Sequence, residues 1–200
     1  MELINLTVKD FAALTASDAP APGGGSISAL CGALSAALVE MVANLTVNKV
    51  KYQDYQEEMS EIITNISSDR QALLVAVDDD TKAFDKYMAA LKLPKGSEER
   101  KAAMQEGLKE AALVPLSVAK RVCTLFPSIE KVLTHGNSNA VTDAMVATML
   151  ARTCALGAIY NVRINLSSIH DEAFVKDLFK LETAEEGQAA LKEKGVELTE

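Results

Sequence analysis

The sequence of 200 residues predicts an all-α protein, folded as a single-domain bundle of long, partly kinked helices. Hydrophobic residues make up 48% of the chain but aromatic residues only 4%, so the core must come from Ala, Leu, Val, Ile and Met, a composition that favours helices. No stretch shows the two-residue alternation of a half-buried strand. No repeat, low-complexity segment or linker divides the chain, and one domain is therefore expected over residues 1–200.

The first two predicted helices flank a glycine loop. Residues 7–15 have the apolar spacing of a short amphipathic helix. After the loop, Ser26 stands where a helix N-cap would stand, and the next helix is predicted from Ser26 to about Val50. This segment is apolar nearly all round and rich in Ala, Gly and Ser. We therefore expect a buried central helix that allows close backbone approach.

Two long helices follow. Apolar residues keep a helical period over residues 54–91, and Pro94 and Gly96 end that helix. Ser97 then begins a helix that is predicted to reach about Phe126, with acidic residues at its start. Pro115 lies well inside it, which predicts a kink or a break.

The last third of the chain contains a second small-residue helix. Pro127 is predicted to close the preceding element, and a short helix is predicted over residues 128–134. The turn-rich HGNSN then leads to a helix over residues 140–161 that is apolar on every side. Residues 183–200 are charged and are expected to form a loosely packed tail or a surface helix. Two helices without a polar face exceed what a bundle of this size covers by itself, so we expect a homodimer.

Composition and charge exclude several classes of partner. The net charge is −8 and the isoelectric point about 4.9, and no basic stripe is present, so no nucleic-acid partner is expected. The N-terminus lacks the pattern of a signal peptide, which predicts a cytoplasmic protein. Residues 27–46 approach the length of a membrane span, but Glu40 interrupts them, and no membrane partner is expected.

The cysteines and histidines do not have the spacing of a metal site. Cys31, Cys123 and Cys154 are odd in number, far apart and embedded in apolar helical patterns, so they are interpreted as reduced core residues. His135 and His170 are far apart as well. No metal is expected.

The glycine loop allows two interpretations. Gly23, Gly24 and Gly25 could form a tight turn that lets two helices pack closely. Alternatively, with Ser26 at the start of a helix, they could present free N–H groups and the positive end of a helix dipole to an anion or an electron-rich ring.

Three consecutive aspartates in DDDTKAF are unusual inside a helix. At 100° per residue, Asp80 falls on the apolar face, Asp79 on the opposite side and Asp78 at the edge. A carboxylate on a core face is either paired or functional. Arg70 is a possible structural partner for Asp80, and Tyr87 falls on the same face.

Two further segments carry clustered polar residues. In GNSNAVTDA, Asn137 and Asn139 are competent caps and Asp143 lies in the first turn of the next helix, yet the group supplies more hydrogen-bonding atoms than one cap requires, which predicts a polar pocket. In LTVNKVKY, residues Lys49, Lys51 and Tyr52 either form a solvated basic helix end or contribute to a site.

Five segments together resemble the C-terminal part of the formiminotransferase-cyclodeaminases, a family that includes the stand-alone methenyltetrahydrofolate cyclohydrolases. The match runs from about Leu6 to Phe174, with two departures: many relatives have Gly at the position of Asn48 and Asn at the position of His135. The resemblance implies an all-helical, dimer-forming enzyme that acts on one-carbon derivatives of tetrahydrofolate. The segments are APAPGGGSISAL, LTVNKVKY, VDDDTKAFDKYMAALKLPKG, GNSNAVTDAMVA and GAIYNVRINL.

Under this resemblance the favoured reaction is hydrolysis of 5,10-methenyltetrahydrofolate to 10-formyltetrahydrofolate. Asp80 and Asp143 are the candidates for base and charge stabiliser, with Lys49 or Tyr52 as proton donor. The remaining candidates would bind substrate, and no cofactor is expected beyond the folate itself. These substrate-binding residues are Gly23, Gly24, Gly25, Ser26, Lys51, Asn137 and Asn139.

Two alternatives stay open at this point. The first is a formiminotetrahydrofolate cyclodeaminase, in which the ring nitrogen attacks the formimino carbon and ammonia leaves. The hydrolase is preferred because no transferase domain that would make the formimino substrate is expected in this chain. The second is a non-enzymatic helical scaffold that dimerises through its Ala-rich helices.

Overall fold

The computed structural model describes residues 2–183 and confirms the all-α prediction. Within that range it has seven α-helices, three short 3-10 segments and no strand. The segment beyond Thr183, predicted to be a tail, lies outside the described residues. The helices are α1 (Val8–Thr15), α2 (Gly24–Asn44), α3 (Gln56–Leu91), α4 (Glu98–Cys123), α5 (Phe126–His135), α6 (Val141–Leu166) and α7 (Glu172–Thr183).

Helices α2, α3, α4 and α6 form a four-helix ring in which neighbours run antiparallel. Ser26 near the start of α2 contacts Asp80 in the second half of α3, whereas the N–H of Asn48, beyond the end of α2, donates to the side chain of Gln56 at the start of α3. Gly107 near the middle of α4 packs against the backbone of residue 87, late in α3.

Small residues let α2 and α6 approach closely, as predicted for α2. A Cβ atom at Gly32 would lie 2.7 Å from the Sγ atom of Cys154, and one at Gly157 would overlap the hydroxyl of Ser28. The hydroxyl of Ser35 donates to the carbonyl of residue 147 at 2.8 Å. The two helices therefore meet backbone to backbone along their length.

Local signals account for most helix boundaries. Thr7 and Ser97 cap α1 and α4 by accepting backbone N–H groups three residues on, each at 3.1 Å. Helix α4 continues through Pro115 to Cys123, and Pro127 lies in the first turn of α5, so the prediction that it closes the preceding element was wrong. Helix α6 extends five residues beyond its predicted end, and α7 was not predicted.

The boundaries predicted for α2 were wrong at both ends. Its N-cap is Gly23, because the Ser26 side chain turns inward and lies 3.0 Å from both the Val77 carbonyl and Asp80. The helix ends at Asn44, and the chain then turns through Asn48, whose φ of 65° lies in the left-handed region. Glycine adopts that region at little cost, and asparagine is among the other residues that tolerate it best.

By length and composition alone, three segments of residues 2–183 could cross a membrane, at Gly24–Asn44, Glu98–His135 and Ser138–Leu166. The fold buries 56% of the most apolar stretch in the first of them and 39% in the third. Helix α6 thus turns a large part of its apolar surface outward. Cys154 lies in the core, which confirms its interpretation as a core residue, whereas Cys31 and Cys123 are half-buried and pack against the core.

Candidate active site

The predicted site residues form two groups at opposite ends of the helical ring. The aspartate cluster, at the start of α2, contains Gly24, Gly25, Ser26, Asp80 and Asn161. The tyrosine cluster, beyond the end of α2, contains Lys51, Tyr52, Asn137, Ser138 and Asn139. Helix α2 has 21 residues, so the two clusters are separated by about 30 Å along its axis.

The carboxylate of Asp80 packs against the first turn of α2. Its Oδ2 atom lies 3.0 Å from the hydroxyl of Ser26, and a Cβ atom at Gly25 would overlap the carboxylate. The first N–H groups of a helix have no intrahelical partner and carry partial positive charge, so this position suits a carboxylate. The prediction that Asp80 faces inward is confirmed.

Two opposing effects set the pKa of Asp80. Partial burial raises the pKa of this carboxyl group above its ordinary value, because water stabilises the charged form better than the protein interior does. Hydrogen bonds from the hydroxyl and the backbone of Ser26 act in the other direction. A half-buried carboxylate with a raised pKa is a stronger base than an exposed one.

The glycines make room for side chains of the protein itself. Gly25 accommodates Asp80, and a Cβ atom at Gly24 would lie 3.1 Å from the amide nitrogen of Asn161 in α6. Gly23 has no such neighbour, since the nearest atom is the carbonyl oxygen of residue 20 at 4.0 Å. The first of the two interpretations of the loop, close packing, therefore accounts for Gly24 and Gly25. Direct contact between ligand and backbone remains a prediction.

The neighbours predicted for Asp80 differ from those observed. Asp78 is the most buried of the three aspartates, only 7% exposed, because the N-terminal segment covers it. Its carboxylate accepts the N–H groups of Leu3 at 2.5 Å and Ile4 at 3.5 Å. Asp78 was placed at the helix edge, which was wrong. Arg70 does not pair with Asp80; its Nε atom donates to Glu40 at 2.7 Å.

Two other residues of the α3 prediction lie away from this contact. Asp79 points outward and pairs with Lys82 at 2.8 Å, as the helical wheel predicts. Tyr87 is half-buried and packs against Gly107 of α4 and the smaller apolar cluster near α7. Asp80 is therefore the one aspartate of the run that faces the start of α2.

At the other end of the bundle, the hydroxyl of Tyr52 is held by the start of the 3-10 segment Ser138–Ala140. It accepts the N–H of Ser138 at 2.9 Å and lies 3.1 Å from the Ser138 hydroxyl. The Nζ atom of Lys51 donates to the Ser138 hydroxyl at 3.3 Å. These hydrogen bonds, with the charge of Lys51, stabilise the phenolate and lower the pKa of Tyr52 to about 8.

Asn137 connects the end of α2 to the start of α6. It is 6% exposed, its N–H donates to Thr46 at 2.8 Å, and its side-chain amide donates to the carbonyl of Leu45 at 3.0 Å. Its Oδ1 atom accepts the N–H of Asn139 at 3.1 Å, which confirms the predicted capping role. The sequence does not indicate the role of Thr46, because its partner, Asn137, is 91 residues away.

The remaining predicted residues also lie at the tyrosine end. Lys49 is exposed and precedes the 3-10 segment Val50–Tyr55, and Asp143 is half-buried in the first turn of α6. One chain therefore brings Lys49, Tyr52 and Asp143 to the same end. It does not bring any of them to Asp80.

His135 belongs to a neighbouring ionic group that sequence reasoning missed. Its Nδ1 atom lies 2.7 Å from the Glu58 carboxylate, and its ring stacks on Tyr55 with centroids 4.2 Å apart. Lys131 lies 3.5 Å from the same carboxylate. This group fixes the end of α5 one residue before the turn that leads to Asn137.

An apolar groove of about 530 Å³ lies between α1, α2 and α3. Ile27 and Val77 line it, and both are immediate neighbours of the aspartate cluster, since Ile27 follows Ser26 and the Val77 carbonyl lies 3.0 Å from the Ser26 hydroxyl. The volume is in the range of small-molecule sites. Within residues 2–183, no group of three or more His, Cys, Asp or Glu side chains is placed to hold a metal ion.

Comparison with known proteins assigns the fold to a family. A model of the formiminotransferase-cyclodeaminase family matches residues 7–183. The chain belongs to the formiminotransferase-cyclodeaminase family. All five segments that carry the predicted resemblance lie within the match. Three of them meet at the aspartate end of the bundle and two at the tyrosine end.

Members of the formiminotransferase-cyclodeaminase family with different names resemble the chain. A methenyltetrahydrofolate cyclohydrolase of Methylorubrum extorquens is 38% identical over 180 residues, which cover 88% of this chain and 86% of that protein. A formimidoyltransferase-cyclodeaminase of Sus scrofa is 35% identical over 176 residues, and the chain spans about a third (32%) of that longer protein.

A solved structure of the same family is closely similar. The formiminotetrahydrofolate cyclodeaminase of Thermotoga maritima superposes with a TM-score of 0.85 and 36% sequence identity. The superposition covers 96% of this chain and 93% of that chain. The helical ring described above is therefore the fold of a known folate enzyme.

Proposed function

We propose that this protein hydrolyses 5,10-methenyltetrahydrofolate to 10-formyltetrahydrofolate. The observation that carries the proposal is the half-buried Asp80 carboxylate at the start of α2, whose raised pKa suits a base. The 38% identity to a methenyltetrahydrofolate cyclohydrolase, over most of both chains, supports this choice among the activities of the family.

The reaction needs a base, a charge stabiliser and an acid. Water adds to the cationic carbon between the two nitrogens, and one proton of the water passes to a base, for which Asp80 is our candidate. The bond from that carbon to the ring nitrogen N5 then breaks and N5 takes up a proton, while the hydroxyl group of the adduct loses its proton and becomes the formyl carbonyl. The formyl group stays on N10.

Groups of the tyrosine cluster suit the second half of the reaction. Tyr52, with a pKa of about 8, holds a proton at neutral pH and releases it more readily than an ordinary tyrosine, so it is our candidate for the acid. Asp143, half-buried at the start of α6, would stabilise the cationic substrate. Lys49 and Lys51 are exposed and would bind the carboxylates of the glutamate tail.

The aspartate end offers complementary binding groups. The N–H groups at the start of α2 would bind a carbonyl group of the pterin ring. The neighbouring apolar groove provides a surface for an aromatic part of the substrate. At the tyrosine end, Asn137 and Asn139 remain our candidates for substrate-binding residues.

The cyclodeaminase reaction is the second candidate. It is favoured by the likeness to the Thermotoga maritima enzyme, which carries that name and superposes over nearly its whole length. In this reaction N10 attacks the formimino carbon carried on N5 and ammonia leaves, so the same acid would protonate the leaving nitrogen. The geometry around Asp80 suits both reactions.

One spectrophotometric assay distinguishes the two, because methenyltetrahydrofolate absorbs in the near ultraviolet and its open forms do not. We expect the protein to accelerate the loss of this absorbance from the methenyl substrate. Asp80→Asn should slow turnover at least about a hundredfold. Asp79→Asn is the matched control, since Asp79 lies on the same helix, points outward and pairs with exposed Lys82.

Two outcomes would contradict the proposal. If absorbance appears from formiminotetrahydrofolate with release of ammonia, and the methenyl substrate is not hydrolysed faster than in buffer, the protein is a cyclodeaminase. Activity on neither substrate would favour the non-enzymatic scaffold. We also propose that the protein acts in the cytoplasm, without a further cofactor and without a nucleic-acid or membrane partner, in keeping with its acidic composition.

A further inference from the structure

The candidate base and the candidate acid of the proposed reaction cannot reach one substrate within a single chain. Asp80 lies at the start of α2, and Tyr52 lies beyond the end of that helix, about 30 Å away. A general acid and a general base must each come within about 3 Å of the reacting group, or act through one water.

We infer that the active site is completed across a two-fold dimer, in which the aspartate cluster of one protomer meets the tyrosine cluster of its partner. This inference rests on the proposed function. It goes beyond the expected dimer because it assigns each protomer half of the catalytic groups. It also names the surface through which the protomers meet.

That surface is the outer side of α2 and α6, which we call the apolar face. On α6, Met149 is 66% exposed and Ile164 68% exposed. The contact between Ser35 and the carbonyl of residue 147 makes the two helices neighbours. The exposed apolar residues of the face are Leu34 and Met41 on α2 and Met145, Val146, Met149, Tyr160 and Ile164 on α6.

The opposite side of the ring, formed by α3 and α4, has a different character. Arg121 pairs with Asp69 at 2.7 Å, and Lys86 pairs with Glu110, so charged side chains bridge the two helices on that side. Exposed apolar residues occur there singly, which is normal for a protein surface. A cluster of exposed apolar residues along two neighbouring helices, on one side only, marks an interaction surface.

The exposed residues of α6 form one stripe along the helix. At 100° per residue, Met145, Tyr160 and Ile164 fall within about 60° of Met149. Exposed Arg152 and Arg163 lie about 60° and 40° away on one edge of the stripe, where a polar rim is expected. From residue 145 to residue 164 the stripe is about 29 Å long, which matches the separation of the two clusters.

This match in length indicates that a second copy of the chain covers the face. A two-fold axis through the middle of the stripe pairs α6 with the α6 of the partner in antiparallel orientation. The start of one α6, near Tyr52 and Asp143, then lies beside the end of the other, near Asn161 and Asp80. The symmetry repeats this arrangement, so the dimer has two equivalent sites.

Complementation between two inactive variants tests the shared site. Asp80→Asn and Tyr52→Phe chains are co-expressed with different affinity tags, and the mixed dimer is isolated by two successive purifications. One of its two sites then contains both native groups, so about half of the wild-type turnover is expected, while each parent dimer is inactive.

A mixed dimer no more active than its parents would overturn the shared site. If the wild-type protein is active in the same assay, the proposed function would stand. A Tyr52→Phe parent with full turnover would also overturn the inference, because the tyrosine cluster would then lie outside the site. Circular dichroism of each parent establishes that it is folded.

A second experiment tests the surface. Met149→Asp should give a folded monomer by light scattering, with turnover reduced at least about a hundredfold. Leu113→Asp is the matched control, because Leu113 is also exposed (46%) but lies on α4, away from the apolar face. It should stay dimeric and active. A wild-type monomer that is active, or a monomer that binds lipid vesicles through this face, would overturn the inference.

Discussion

The carboxylate of Asp80 occupies the space that a side chain at Gly25 would need. Residues 25 and 80 lie on different helices, and the absence of a side chain at one determines where the other can lie. The close contact also brings the carboxylate to the unpaired N–H groups at the start of α2. Gly25 is therefore a positioning residue for the proposed base.

Gly25→Ala should displace Asp80 and reduce kcat/KM by about a hundredfold, because a shift of roughly 1 Å in a catalytic group has an effect of this size. Gly24→Ala should reduce it less, since its new Cβ atom meets the end of the Asn161 side chain, 3.1 Å away, which can rotate. Steady-state kinetics of both variants measure the difference. Equal effects would contradict the role of Gly25.

Asp80→Asn should lose activity without losing stability. The folded-state pKa of Asp80 is raised, so ionisation above its ordinary pKa opposes folding, and the unfavourable contribution grows until the pH passes the folded value. An asparagine has no such ionisation. The melting temperature of the variant relative to the wild type should therefore increase as the pH rises through this window. An unchanged difference between pH 3 and 7 would contradict the burial of the charge.

Ser26→Ala should shift the acidic limb of the pH–rate profile to higher pH. The hydrogen bonds of Ser26 lower the pKa of Asp80 against the effect of burial, so loss of the hydroxyl raises that pKa further. A higher pH is then needed to deprotonate Asp80, and only the deprotonated carboxylate can accept a proton from water. Ser28→Ala is a suitable comparison, because its hydroxyl donates to the carbonyl of residue 24 instead. Its acidic limb should not move.

The basic limb of the pH–rate profile should lie near pH 8, where Tyr52 loses the proton that it supplies as the acid. Lys51→Met should move this limb to higher pH, because Lys51 contributes to the lowered pKa of Tyr52. Tyrosinate absorbance in a pH titration measures the same ionisation directly. A titration that Lys51→Met leaves unchanged would contradict this assignment.

Asn48 allows a test of backbone strain at the turn after α2. Its φ of 65° suits glycine, and its N–H bond to Gln56 involves only the backbone of residue 48. Asn48→Gly should change the free energy of unfolding by less than about 1 kcal/mol. Asn48→Val should destabilise the protein by about 1–3 kcal/mol, because β-branched residues avoid this region. Urea unfolding of both variants gives the comparison.

Features set by neighbouring residues could be predicted from the sequence. The cap at Ser97, the end of α3 before Pro94 and the inward direction of Asp80 all depend on residues within a few turns. The burial of Asp78 could not be predicted, because the N–H groups that satisfy it belong to Leu3 and Ile4, more than 70 residues earlier. Helical periodicity describes one helix, whereas these contacts join distant parts of the chain.

The same limit explains the misplaced start of α2. Ser26 has the residue type of an N-cap, but its hydroxyl contacts α3, 51 and 54 residues away, and Gly23 takes the capping position. The candidate catalytic residues were recognised from their types and from the family resemblance. Their division between two ends of the bundle appears only once the antiparallel order of the helices is known.

The contact between Gly32 and the Sγ atom of Cys154 makes this cysteine a reporter of native-state opening. The thiol is buried between α2 and α6, and burial raises its pKa, so a thiol reagent can modify it only after the two helices separate. The rate of modification in native buffer therefore measures the free energy of that separation. Half-buried Cys31 and Cys123 should react before Cys154. A ligand that bridges the two helices should slow the modification of Cys154 selectively.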